Sequence, residues 1–222
     1  MALFSDRFNA GKILAENLMD YQSQSDVVVV LALPRGGVPV AYQVARALNA
    51  PLDILLVRKL GVPEREELAM GAIASGGICV LNEDVIQTLH IPRQIIDQVV
   101  EAEQRELERR ERLYRGDRPP IPLAGKTVIL VDDGLATGAS MRAAVDAVRM
   151  QQPAKIVVAV PTAAPEICLQ FQAHVDQIIC ATTPQPFYGV GMWYEDFAQT
   201  SDEEVRRLLK DADRALHAGQ QN

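Results

Sequence analysis

The sequence predicts an α/β fold: a mainly parallel five-stranded sheet flanked by helices, carrying a small hood. Three observations predict it. Apolar runs of strand length recur along the 222-residue chain, at residues 27–33, 52–57, 128–131, 155–160 and 176–181. Stretches of helical period separate most of them, the alternation expected of βαβ units. The runs are continuously apolar, as in strands buried on both faces of a covered parallel sheet.

The elements follow in order. Residues 6–21 read as a first helix, with Phe8, Ile13, Leu14, Leu18 and Tyr21 among its apolar positions. The strand at 27–33 is broken by Pro34-Arg35-Gly36-Gly37, and residues 38–48 continue as a helix. Residues 52–57 form the next strand. Residues 59–68, with Gly61, Pro63 and many charges, read as an exposed loop in which at least one of Glu66 and Glu67 faces solvent. Residues 71–75 and 78–81 suit a hairpin about Gly76-Gly77. Residues 92–115 read as a long helix closed by Gly116 and Pro119-Pro120, its Glu and Arg recurring three and four apart. Ile95, Ile96, Val99 and Leu107 would face inward, whether the helix is a plain surface element or an interface. After the strand at 128–131 comes an amphipathic stretch at 141–150. Strands at 155–160 and 176–181 then flank a helix at 165–173. Residues 201–217 form a last helix, with Ser201 as N-cap and Glu204 completing a capping box. With no repeat and no clear linker, residues 1–222 read as one domain: a core at about 25–181, a hood from the N-terminal helix and about 182–200, and the final helix.

Composition narrows the function classes. Hydrophobic residues make up 48%, which suits a globular chain. A net charge of −7 makes nonspecific binding to nucleic acid or an anionic membrane unfavourable. No apolar run is long enough to span a bilayer, and no signal pattern opens the chain, so a cytoplasmic location is expected. Cys79, Cys168 and Cys180 are odd in number and lack C-x-x-C spacing, so they read as buried free thiols of a reducing compartment. His90, His174 and His217 are isolated and lack metal-ligand spacing. No G-x-S-x-G elbow, P-loop or G-x-G-x-x-G segment is present.

Residues 128–140, VILVDDGLATGAS, carry the chemistry. A strand ends in two carboxylates, and a turn of small residues leads into a helix. Loop N–H groups, the Thr137 and Ser140 hydroxyls and the positive helix end suit a phosphate. Asp132 and Asp133 beside it suit sugar hydroxyls, magnesium or both. The segment resembles the 5-phosphoribosyl 1-diphosphate signature of the type I phosphoribosyltransferases, and the fold that this resemblance implies is theirs. It assigns Asp132 and Asp133 to the ribose hydroxyls, and Ala136, Thr137, Gly138, Ala139 and Ser140 to the 5-phosphate.

Three further segments fit the resemblance in chain order. Arg35, Gly36 and Gly37 follow the first core strand, where the family binds pyrophosphate, often with a cis peptide; a cis bond near Arg35 is therefore expected. On the residues alone this is an anion-binding turn or a plain strand-to-helix turn. Arg58 and Lys59 open a loop resembling the mobile catalytic loop of orotate-type enzymes, although no histidine or second lysine follows. They are expected to act in catalysis and on pyrophosphate, in their own or a neighbouring subunit's site. Residues 186–197, PFYGVGMWYEDF, resemble the base-binding segment of hypoxanthine-type enzymes. Phe187, Tyr188 or Trp193 would cover a base and Asp196 would contact a metal; the same aromatics equally suit closure of the core against the N-terminal helix. Ala136 stands where hypoxanthine-type enzymes carry an aspartate, and 160–162 offers no base-reading lysine, so the base goes unnamed.

The resemblance implies a magnesium-dependent phosphoribosyltransferase that joins a nitrogenous base to the donor and releases pyrophosphate. Asp132, Asp133, Arg58 and Lys59 would carry catalysis in a homodimer, with a small base or nucleotide as the second ligand. A non-catalytic sensor of phosphoribosyl diphosphate or a nucleotide is one alternative. A nucleotide phosphorylase or hydrolase on the same site is another.

Overall fold

A computed structural model describes residues 2–24 and 27–219. Its centre is a parallel sheet of five strands, β1 (Val28–Ala32), β2 (Leu52–Ile54), β6 (Thr127–Val131), β7 (Lys155–Thr162) and β8 (Gln177–Thr182), in the order β2-β1-β6-β7-β8. Side chains alternate across it, as the two-residue strand period requires. Val28, Val30, Ile129, Val131 and Val157 point to one face, and Val29, Leu31, Val128, Leu130 and Val158 to the other. Both faces are buried, which explains the continuously apolar runs.

The first face is covered by α1 (Arg7–Glu16), α2 (Gly37–Leu48) and α7 (Asp202–Gly219), through Leu14, Val44 and Leu209 among others, and α4 (Arg93–Arg115) packs beyond them against α7, with Leu107 in the same buried cluster. The second face is covered by α5 (Ala139–Arg149) and α6 (Pro165–Phe171), through Met141, Val145, Ile167 and Phe171. The helix ends follow local chemistry. The Asp6 carboxylate accepts from the Asn9 amide at 2.7 Å, and the Ser201 hydroxyl accepts from the Glu204 amide at 3.1 Å. At the far end of α4, Arg115 is buried against Asp53 of β2 at 3.1 Å and also donates to the Ile54 carbonyl, so a charge taken from water is fully engaged.

Residues 59–68 are strand, not loop. β3 (Val57–Val62), β4 (Arg65–Ala74) and β5 (Ile78–Leu81) form a separate antiparallel sheet. Leu60, Val62, Met70 and Ile73 are buried in the same cluster as Ile96 and Leu107 of α4. This long-range packing overrides the local signals of Gly61 and Pro63; the chain turns only around Glu64, which has a φ of 65°. The expected hairpin about Gly76-Gly77 is present as β4 and β5. A short helix, α3 (Glu83–Thr88), capped by Asn82, had no periodic signal long enough to reveal it. The expected start of the core at Ser25 and the side chains of Glu66 and Glu67 lie outside the described residues.

The cysteine expectation is corrected too. Cys168 of α6 and Cys180 of β8 form a disulfide, their Cα atoms 6.7 Å apart. Packing of the helix on the strand brings together residues that sequence spacing leaves unrelated. Cys79 is a free, half-buried thiol, and burial pushes its pKa up. No helix among the described residues is long and apolar enough to cross a membrane.

Candidate functional site

The order β2-β1-β6-β7-β8 has its topological switch between β1 and β6. From β1 the chain turns to α2 on one face, and from β6 it turns to α5 on the other. A crevice opens between two such exits, at the carboxyl ends of the strands. The Pro34–Arg35 loop and the Asp132–Asp133 pair both lie there.

They lie against each other. The Leu33 amide donates to the Val131 carbonyl at 2.9 Å, which carries the pairing to the strand tips. The Pro34–Arg35 peptide is cis, as expected near Arg35. A Cβ on Gly36 would sit 2.0 Å from Oδ2 of Asp133, and one on Gly37 would sit 2.7 Å from the Val131 carbonyl oxygen. Two glycines are therefore what lets this loop approach the acid pair.

Asp132 and Asp133 are half-buried and differ in their partners. The Asp133 amide donates to Oδ1 of Asp132 at 2.9 Å. Oδ2 of Asp133 pairs with Nε of Arg7 at 2.9 Å, and the Tyr194 hydroxyl donates to the Asp133 carbonyl at 2.6 Å. Burial lifts both carboxyl pKa values above the ordinary range, and Asp132 is lifted further by the neighbouring Asp133 charge. Burial also raises the Tyr194 pKa. Charging Asp132 is thus costly, and a cation or a sugar hydroxyl beside it would relieve that cost.

The 136–140 turn opens α5. Gly138 has a φ of 72°, and its Cα lies so close to Phe171 that a Cβ would approach the ring to 2.6 Å. Thr137, Ala139 and Ser140 are exposed or open onto the crevice mouth. Arg142 donates to the Thr137 carbonyl at 2.9 Å and bridges to Gln170, which fixes the turn from outside. The Ala139 amide donates to the Thr137 hydroxyl at 3.5 Å, and the N-terminal end of α5 is the kind of position that favours an anion.

A pocket of about 110 Å³ brings several of these residues together: Pro34, Arg58, Asp132 and Ser140 line it. It is far smaller than the few hundred Å³ of a typical organic-ligand pocket and suits a phosphate-sized group. Arg58 is ion-paired to Glu103 of α4. Lys59, the next residue on β3, belongs to the opposite side of the strand and lines a neighbouring cleft of about 720 Å³ with Ala139, Ser140 and Arg142. The expected Arg58–Lys59 pair is therefore split by strand alternation. Arg35 reaches Oδ1 of Asp202 at 3.4 Å, and the same oxygen accepts from the Tyr114 hydroxyl at 2.6 Å. Burial and that bond push the Tyr114 pKa up to about 12, and the contacts hold the Asp202 pKa down.

The aromatic segment mainly closes the hood. Trp193 stacks on Phe187 with ring centroids 6.2 Å apart, and Phe4, Tyr194 and Phe197 pack in succession. Backbone bonds from Phe4 to Trp193 and from Glu195 to Phe4 join 182–200 to the N-terminus. Tyr188 is 81% exposed and stands apart from these stacked rings. The Asp196 carboxylate accepts from the Ala198 amide at 2.9 Å, and among the described residues no group of three His, Cys, Asp or Glu side chains is placed to hold a metal.

Sequence reasoning missed Arg7, Tyr194, Arg110, Tyr114 and Asp202. Arg7, Arg110 and Tyr114 are single residues on helices with no motif around them, while Tyr194 lies within the aromatic segment and Asp202 within the capping box, neither of which points to this role. Only the fold reveals that they reach the crevice.

Comparison with known proteins shows the family and the fold. The chain matches the family model described as the phosphoribosyl transferase domain, over residues 6–88 and 64–187. A provisionally named phosphoribosyl transferase of Mycobacterium tuberculosis is 47% identical over 214 residues, 96% of this chain and 48% of its own length. The chain thus spans about half the length of that relative. The bifunctional protein PyrR of Chloroflexus aurantiacus is 33% identical over 129 residues, 57% of this chain and 65% of its own length. The crystal structure of the protein TT1426 from Thermus thermophilus superposes with a TM-score of 0.84 at 40% identity, covering 95% of this chain and 99% of that one.

Proposed function

The chain belongs to the phosphoribosyl transferase domain family, and on that premise we propose that it transfers a phosphoribosyl group from 5-phosphoribosyl 1-diphosphate to a nitrogenous base. The observation that carries the proposal is the contact of the Gly36-Gly37 loop with the Asp132–Asp133 pair at the switch point. It supports a ligand with an anion on one side and vicinal hydroxyls on the other.

In this reading the bond from ribose C1 to pyrophosphate breaks, a bond to the acceptor nitrogen forms, and that nitrogen gives up a proton. The amides and hydroxyls of 136–140 hold the 5-phosphate. Asp132 and Asp133 orient the ribose hydroxyls and lie near the positive charge that develops on the sugar. Arg35, the Gly36 amide and Arg58 take up the charge leaving with pyrophosphate; the Gly37 amide, expected from the sequence to share this task, donates instead to the Leu33 carbonyl at 3.1 Å. These tasks are positioning and electrostatic stabilisation. Magnesium, when bound, would neutralise part of the diphosphate charge. Asp132 fits a cation because its carboxyl, raised in pKa by burial and then by its neighbour's charge, accepts from a backbone amide and holds no direct ion pair among the described residues. Lys59 as a catalytic cation, base cover by Phe187, Tyr188 or Trp193, a metal contact from Asp196, a homodimer and a cytoplasmic location belong to the same proposal.

The test is pyrophosphate release from the donor with magnesium, across a panel of purine and pyrimidine bases. Base-dependent release with one of them supports transfer. Tight donor binding with no release for any base contradicts transfer and favours a sensor. Release without a base points to hydrolysis.

A further inference from the structure

The long helix α4 lies outside the five-stranded core, yet it walls the small pocket at the switch point. Leu107 and Arg110 of α4 line that pocket with Pro34, Arg58, Asp132 and Ser140. Two guanidinium-bearing residues, one from β3 and one from α4, therefore line a cavity of about 110 Å³ beside the cis Pro34–Arg35 peptide. We propose that Arg110 is a pyrophosphate-binding residue of the donor site, set with Arg58 around the leaving group. The inference rests on the donor-site reading above.

Three features carry it. The first is placement: Arg110 shares the pocket with Asp132, so a group bound between the acid pair and Pro34 comes within its reach. The second is pairing. Each arginine is held by a carboxylate of α4, Arg58 by Glu103 and Arg110 by Glu106 at 2.7 Å. Those glutamates restrain the two guanidinium groups on residues that line the pocket. A diphosphate carries more charge than one carboxylate and offers oxygens for two-pronged contacts, so it competes well for both arginines. The third is charge balance. Pyrophosphate leaves with more negative charge than one magnesium ion neutralises, and Arg35 and Arg58 each share their charge with a carboxylate, Asp202 and Glu103. A further cation on this wall meets that need.

Arg109 supplies the control. It pairs with the same Glu106, at 2.7 Å, but does not line the pocket. The experiment compares wild type, Arg110→Gln and Arg109→Gln by calorimetric titration with pyrophosphate plus magnesium and, separately, with ribose 5-phosphate. Arg110→Gln is expected to weaken pyrophosphate binding roughly tenfold to a hundredfold, the effect of losing a charge-assisted contact, and to leave ribose 5-phosphate within about twofold. Arg109→Gln is expected to match wild type for both ligands. Unchanged pyrophosphate affinity in Arg110→Gln overturns the assignment and leaves the donor site standing. Equal losses for both ligands, or for both variants, overturn it in favour of a structural role for the helix. A wild-type protein that binds neither ligand overturns the donor site and this inference together.

Discussion

Gly36 and Gly37 are neighbours with different duties, and substitution should separate them. A Cβ on Gly36 meets a carboxylate oxygen of Asp133, a side chain that can swing away from its place. A Cβ on Gly37 meets the Val131 carbonyl, which is fixed in the sheet. Gly36→Ala is therefore expected to cut donor affinity at least tenfold with a smaller loss of stability, that of the displaced Arg7–Asp133 pair, whereas Gly37→Ala should cost about 1–3 kcal/mol of unfolding free energy. Titration calorimetry and chemical denaturation of the two variants measure this; equal stability losses would contradict it. Asp132 gives a prediction with a pH sign. Its folded pKa is raised, so the native state holds a proton that the unfolded chain releases, and stability falls as pH rises from about 4 through the raised value. Asp132→Asn removes that penalty. It should raise the thermal midpoint at pH 7 by about 2–4 °C, the effect of roughly 1 kcal/mol in a domain of this size, and the gain should vanish near pH 4. Melting curves across that range check it, and a midpoint at pH 7 no higher than wild type would contradict it.

At the scale of elements, the disulfide ties α6 to β8 on the second face of the sheet. Closing a loop with a sequence separation of 12 is worth about 3 kcal/mol through the unfolded chain. Cys168→Ser should lower the unfolding free energy by about that much, and a reductant should do the same to wild type but nothing to the variant. Denaturation with and without reductant checks this; a wild type indifferent to reductant would contradict it. The same bond marks a limit of the sequence. The strands of the parallel sheet were legible because burial on both faces leaves uninterrupted apolar runs, and α4 was legible from its charge spacing. The Cys168–Cys180 pairing was not, because it depends on how a helix lies on a strand. Nor was the β3–β4 sheet: Gly61, Pro63 and the charges signal a loop locally, while burial of Leu60 and Met70 against α4 decides otherwise. In the site, the acid pair and both glycines were readable as a motif. Arg7 was not, because one arginine in an N-terminal helix carries no pattern until the fold sets it 2.9 Å from Asp133.

At the scale of the molecule, two appendages meet the crevice from different sides. The hood is pinned to the acid pair through Arg7, which bonds Asp133 and the Ala198 carbonyl, and through Tyr194. The three-stranded sheet with α4 forms the other wall, through Arg58 and Arg110. A donor bound at the switch point would lie between them, with its ribose on Asp132 and Asp133. Every part of the proposed function depends on that pair, so its removal is the central test. Wild type and the Asp132→Asn, Asp133→Asn double variant are titrated calorimetrically with phosphoribosyl diphosphate and magnesium, with circular dichroism reporting the fold. The expected result is saturable binding by wild type and none by a variant that remains folded. Equal donor affinity in the two proteins would contradict the account.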